Sequence, residues 1–157
     1  MLAWVRSSDP NKPKRVLHFL KSLNDRFKLS EDSELKPTLL TYNNAMEACA
    51  NCQGSSEEQT VALKIIFAIN KAIIAAKMEP NHISYRILIK AATNLVPPGE
   101  ERNAIVKALF DKCKNSGQVD KFVLKALQYA DSTTFHACVV KSKTNNAIPT
   151  EWSRNVQ

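Results

Sequence analysis

Two stretches of this chain are versions of one another at a constant offset, and that recurrence limits the fold more than any other feature. Lys36-Pro37-Thr38-Leu39-Leu40-Thr41-Tyr42-Asn43-Asn44-Ala45-Met46-Glu47-Ala48-Cys49 returns as Glu79-Pro80-Asn81-His82-Ile83-Ser84-Tyr85-Arg86-Ile87-Leu88-Ile89-Lys90-Ala91-Ala92. Pro37 maps to Pro80, Tyr42 to Tyr85, Met46 to Ile89 and Ala48 to Ala91. Each copy runs through Pro, a small polar residue, an apolar–hydroxyl–Tyr triplet and then an apolar helix face. A fixed period with matched chemistry at each step marks a repeat protein.

The chain has 157 residues, room for one compact domain or a short array of stacked units. Hydrophobic residues make up 44%, enough for a buried core, and glycine occurs only three times. Alternation of strand type is hard to find, so the pattern predicts an all-α fold with short turns. A net charge of +7 favours polyanions such as RNA, DNA or acidic membranes, although surface charge of this size is ordinary for a small domain. Arg6, Ser7, Ser8, Asp9 and Pro10 break any secretory apolar segment at the start. Cys49, Cys52, Cys113 and Cys138 are therefore expected as reduced thiols in an intracellular compartment. The longest apolar run, near Ile73 to Ala76, falls well short of the ~20 residues of a membrane span.

In chain order, Leu2 to Val5 resemble the tail of a helix, broken at Asp9-Pro10, as if the chain were a fragment. Val16, Leu17, Leu20, Leu23 and Phe27 recur at helical spacing, and Ser30 to Lys36 reads as a loop. Thr38 is placed as the N-cap of the next helix, with Tyr42, Ala45, Met46, Cys49 and Cys52 on its inner face. Ser56 and Gln59 form a capping box ahead of a helix carrying Ala62, Ile65, Ile66, Ile69, Ile73 and Ala76. Asn81 caps a helix with Tyr85, Leu88, Ile89 and Ala92 on one face. After Pro97-Pro98-Gly99, a helix opens at Glu100 and Glu101 and stops at Asn115-Ser116-Gly117. Asp120 caps a shorter helix and a weak one follows Asp131, while residues from Lys141 show no periodicity. The expected organisation is an α-solenoid of stacked antiparallel helix pairs. It comprises a truncated first repeat over 1–38, a complete repeat over 39–81, a degenerate repeat with C-terminal capping helices over 82–140, and an irregular tail over 141–157. Trp152 is the tail residue suited to docking.

Leu39-Leu40-Thr41-Tyr42-Asn43-Asn44-Ala45-Met46 resembles the opening of a pentatricopeptide repeat, and Met78-Glu79-Pro80-Asn81 resembles that repeat's end. The similarity covers roughly Lys12 to Leu127, with an insertion around Asn51–Ser56 that lengthens the unit. The resemblance implies binding of single-stranded RNA, one base per repeat, read by two or three side chains. It implies Asn43 and Asn81 as a base-reading pair preferring a pyrimidine, since an amide offers both a donor and an acceptor. Thr38 and Arg86 fall on the flanking reading positions, and Leu40 and Ile83 on the positions that sandwich bases. Arg86 replaces the usual small polar reader and carries no base identity. The family also implies a mitochondrial or chloroplast location and a role in RNA processing, stability or translation; no transit peptide is visible in the sequence.

Each of these residues also has a plainer reading. Capping alone accounts for Asn81 and Thr38, packing for Tyr42 and Tyr85, and a core between repeats for Leu40 and Ile83. Cys49-Ala50-Asn51-Cys52 has no second ligand pair, so buried thiols are expected and no metal. The basic residues Lys12, Lys14, Arg15 and Lys21 read as a solvated helix face. No zinc-deaminase pattern, acidic nuclease cluster, P-loop or glycine-rich nucleotide turn occurs, so no enzyme, cofactor or small-molecule substrate is expected. Partners are RNA, further repeats or proteins. A protein-binding scaffold of tetratricopeptide type is the alternative, although its Trp–Leu–Gly–Tyr pattern is missing. A third reading is the guiding arm of a larger enzyme.

Overall fold

The computed structural model describes residues 9, 11–30, 32–139 and 148–156. The readings made for 1–8, Pro10 and 141–147 lie outside the described residues. The protein is all-α: eight helices pack against their neighbours, with no strand among the described residues. They fall into two compact units, Met1–Glu79 and Pro80–Gln157.

In the first unit, α1 (Lys12–Ser30) is followed by a short 3₁₀ turn at Ser33–Leu35, then α2 (Leu39–Ala50) and α3 (Ser56–Ala75). α2 packs most extensively against α3, and α1 lies against both. Val16 and Leu20 of α1, Ala45, Met46 and Cys49 of α2, and Ile66, Ile69 and Ile73 of α3 are buried. Truncating one of these isoleucines to Ala removes about 2–5 kcal/mol. Thr38 begins α2 as a reciprocated cap. Its hydroxyl accepts from the Thr41 backbone N–H at 3.3 Å, and its own N–H donates to Thr41 Oγ1 at 3.2 Å. The capping box of α3 lies one residue earlier than the sequence reading, on Ser55 and Glu58. Either serine suits a cap, but only Ser55 places a carboxylate three residues on. Ala76, expected on the inner face of α3, is instead its exposed C-cap.

Lys12, expected on a solvated face, is only 1% exposed, and its ammonium donates to the Asn51 carbonyl at 3.2 Å. The bond anchors the start of α1 to the α2–α3 turn. Lys14, Arg15 and Lys21 are exposed.

The second unit holds α4 (His82–Leu95), α5 (Glu100–Asn115), α6 (Lys121–Ala130), α7 (Ser132–Val139) and α8 (Thr150–Ser153). α4 packs against both α5 and α6, α7 against α6, and α8 against α5. α8 falls in the stretch read as an irregular tail. Trp152 meets Phe110 edge to face at 6.0 Å, and the Val119 N–H donates to the Trp152 carbonyl at 2.8 Å. A single helical turn is too short to leave a hydrophobic period, and tertiary contacts hold it.

The ends of α3 and α5 are built alike. Met78 N–H donates to the Ile73 carbonyl and Lys77 N–H to that of Ile74; Gln118 and Gly117 do the same toward Cys113 and Lys114. Both are Schellman turns, in which the residue after the cap is left-handed. That residue is Lys77 (φ 57°) in the first unit and Gly117 (φ 65°) in the second. Glycine takes this conformation without penalty, whereas a side-chain-bearing residue pays about 1–2 kcal/mol.

Candidate nucleic-acid interface

Side-chain N-caps open several helices, Ser55 of α3 and Asp131 of α7 included, but in three of them the second residue beyond the cap is apolar. Thr38, Asn81 and Asp120 are N-caps with extended backbone, and each side chain accepts from the N–H three residues on. Asn81 repeats the reciprocated box of Thr38, with Ser84 N–H donating to Asn81 Oδ1 at 3.1 Å and Asn81 N–H donating to Ser84 Oγ at 3.2 Å. Asp120 makes one bond of this kind, from Val123 N–H at 2.7 Å. Seven residues beyond each cap stand Ala45, Leu88 and Leu127, and ten beyond stand Ala48, Ala91 and Ala130, all buried. Ser55 keeps the same spacing, with Ala62 and Ile65 buried seven and ten residues on, but Glu57 takes the place of the apolar second residue. Asp120 caps α6 as the sequence predicts, and the Pro of Pro37 and Pro80 has no counterpart there.

The second residue after each cap is apolar and sits on the first helical turn. Leu40 is 66% exposed and Phe122 is 50% exposed, while Ile83 is partly buried. Burial of large side chains favours folding by about 1.5–3 kcal/mol each, so exposed ones gain nothing from the core. Lys121 lies over the Phe122 ring, 5.1 Å from its centre, and keeps a cation beside the apolar surface. Farther along α6, Lys125 and Tyr129 are exposed.

The six residues singled out by sequence fall on both units. Thr38, Leu40 and Asn43 belong to the start of α2, and Asn81, Ile83 and Arg86 to the start of α4. Thr38 and Leu40 are exposed, and Asn81, Ile83 and Arg86 are partly so. Asn43 is only 4% exposed. Its amide is an interior group in the folded unit, and contact with a base requires the packing around it to open. In the second unit the α4 start is tied to the turn before α6, since the His82 N–H donates to Gln118 Oε1 at 3.0 Å. Tyr85 packs inside and its hydroxyl pairs with Ser116 Oγ at 3.0 Å, a structural role rather than a stacking surface.

Two of the buried thiols are held in the protonated form. Burial pushes the Cys49 thiol up to about 12, with the Lys12 ammonium pulling the other way, and burial likewise pushes Cys113 up to about 12. Protonated thiols are neither nucleophiles nor good metal ligands at neutral pH. Among the described residues, no three His, Cys, Asp or Glu side chains are grouped to hold a metal ion. No helix among them is long and apolar enough to cross a membrane. Comparison of the chain with protein-family models, curated proteins and solved structures finds no match.

Proposed function

We propose that this protein binds single-stranded RNA through the first turns of its repeated helices, as a short α-solenoid of pentatricopeptide type acting in organellar RNA processing, stability or translation. The observation that carries the reading is the triple recurrence of an N-cap followed two residues later by an apolar side chain, exposed in Leu40 and Phe122. A flat base stacks on such a side chain with little demand for sequence, while nearby cations meet the phosphates. Arg86 and Lys125 stand five residues beyond their caps, where a cation can pair with the backbone. Asn81 and Thr38 keep their side-chain oxygens engaged in capping, so their contribution to RNA comes on top of a structural duty.

Stacking supplies roughly 1–3 kcal/mol per base, so three helix starts give weak binding with strong salt dependence. Specific recognition of a transcript requires further repeats or a partner. Fluorescence anisotropy with short C, U, A and G oligoribonucleotides at low and near-physiological salt tests the reading, with circular dichroism as the folding control. Binding should weaken about tenfold or more in the Leu40→Ser/Phe122→Ser double variant, whose fold should be unaffected because both side chains are exposed. A pyrimidine preference erased by Asn43→Ala would add base reading through the buried amide. No binding by the folded wild type would overturn RNA recognition and leave a protein-binding scaffold, with Leu40 and Phe122 as its apolar contacts.

A further inference from the structure

We infer that the first unit carries a binding site for a nucleoside monophosphate group, in a groove of about 500 Å³ where the start of α2 meets the ends of α1 and α3. This volume lies in the range of small-ligand sites. Phe27, Tyr42 and Met78 give the groove an apolar wall, and Asn24 and Thr38 add an amide and a hydroxyl. Lys36 and Lys77 are the charged residues lining it. Neither lysine is in an ion pair among the described residues. The combination selects its occupant. Two ammonium groups match a dianionic phosphate better than a single carboxylate. The part-exposed ring of Phe27 suits a flat heterocycle, with the buried Tyr42 as backing behind the wall, and the two uncharged polar groups suit a sugar or base edge.

Lys77 supplies an independent argument. It occupies the left-handed turn at φ 57° that glycine fills at position 117. Stability alone favours glycine at such a turn, so the lysine is explained by what its side chain does in the groove. The inference goes beyond RNA binding by the helix starts and shares with it only Thr38. Two sources present the same chemistry: a free nucleotide, and the 5′-phosphorylated end of an RNA.

Isothermal titration with AMP, adenosine and inorganic phosphate, beside anisotropy with one oligoribonucleotide in 5′-phosphorylated and 5′-hydroxyl forms, separates them. AMP should bind at least tenfold more tightly than adenosine, reflecting charge-assisted contacts. Lys77→Gly should erase that difference without lowering the melting temperature, and Lys36→Gln should reduce it. A free-nucleotide site shows AMP binding with no preference for the phosphorylated oligonucleotide. An RNA-end site shows a phosphate preference that Lys77→Gly removes. If AMP and adenosine bind alike, or AMP binding survives in both lysine variants, the site is overturned even if the oligonucleotides still bind through the helix starts. Conversely, AMP binding lost in Lys77→Gly upholds the site even if no oligonucleotide binds.

Discussion

The ends of α3 and α5 adopt one hydrogen-bonding pattern with two unlike residues at its tightest point. At the α5 end, Gly117 meets two demands at once. Its φ of 65° is left-handed, and a Cβ there would lie 2.5 Å from Arg154 Cγ. Arg154 itself donates to the Asn115 and Glu151 carbonyls, so a side chain at 117 would have to displace it and these two bonds. At the α3 end, Lys77 accepts the same backbone conformation and is exposed. Equal geometry therefore sits in different surroundings: close approach of the Arg154 side chain at one turn, an exposed lysine at the other.

Exchanging the two residues is the strongest way to break this comparison. Gly117→Lys should destabilise the second unit by about 2 kcal/mol or more, from the left-handed backbone and the collision with Arg154. Thermal melts should show the loss, and the Trp152 environment should become more polar in fluorescence. The reverse change, Lys77→Gly, should stabilise the first unit by about 1 kcal/mol by relieving the same backbone penalty, read from urea unfolding. If Lys77→Gly destabilises instead, the lysine side chain makes packing contacts that outweigh its strain.

The smallest expected effect comes from acid. Burial raises the Asp131 carboxyl, but the Thr134 hydroxyl and the Thr133 and Thr134 backbone N–H groups outweigh it, and the carboxyl lies below the usual range. The hydrogen bond from Lys107 likewise lowers Asp111. Both folded-state values lie below the unfolded ones, so this stability is fully present above the unfolded pKa. It is lost as pH falls through the folded values. Amide exchange below pH 4 should therefore show α7 opening before α2 and α3, since Asp131 holds the N–H groups of its first turn. Equal opening across both units would show that the second unit has no special sensitivity.

The helix starts at Thr38 and Asn81 were legible because the cap, the Pro before it and the Tyr after it are neighbours in sequence. The third start was half legible: Asp120 announces a cap, but without Pro or Tyr its kinship to the others lies in the backbone. Register within a helix was harder to read. Asn43 sits in the first turns of α2 like its neighbour Leu40, yet one is interior and the other exposed, and only packing decides which face a polar residue takes. The burial of Lys12 depended on an acceptor, the Asn51 carbonyl, supplied by a distant turn. The groove was invisible for the same reason. Phe27, Lys36, Tyr42 and Lys77 are scattered along the chain and share a wall only after three helix ends converge.

The docking of Trp152 has a consequence for the order in which the chain acquires its structure. Synthesis runs from the N-terminus, so α4, α5 and α6 emerge before the segment that closes the α5 end. Gly117 O and Val119 N–H find their partners in Asn155 and Trp152 only after more than 30 further residues have been added. Contacts over such separations form late because loop closure must precede them. Until then the α5 end rests on its own Schellman turn, and Phe110 lacks the ring that later packs against it. That interval is when a nascent-chain chaperone would find an apolar edge on this unit.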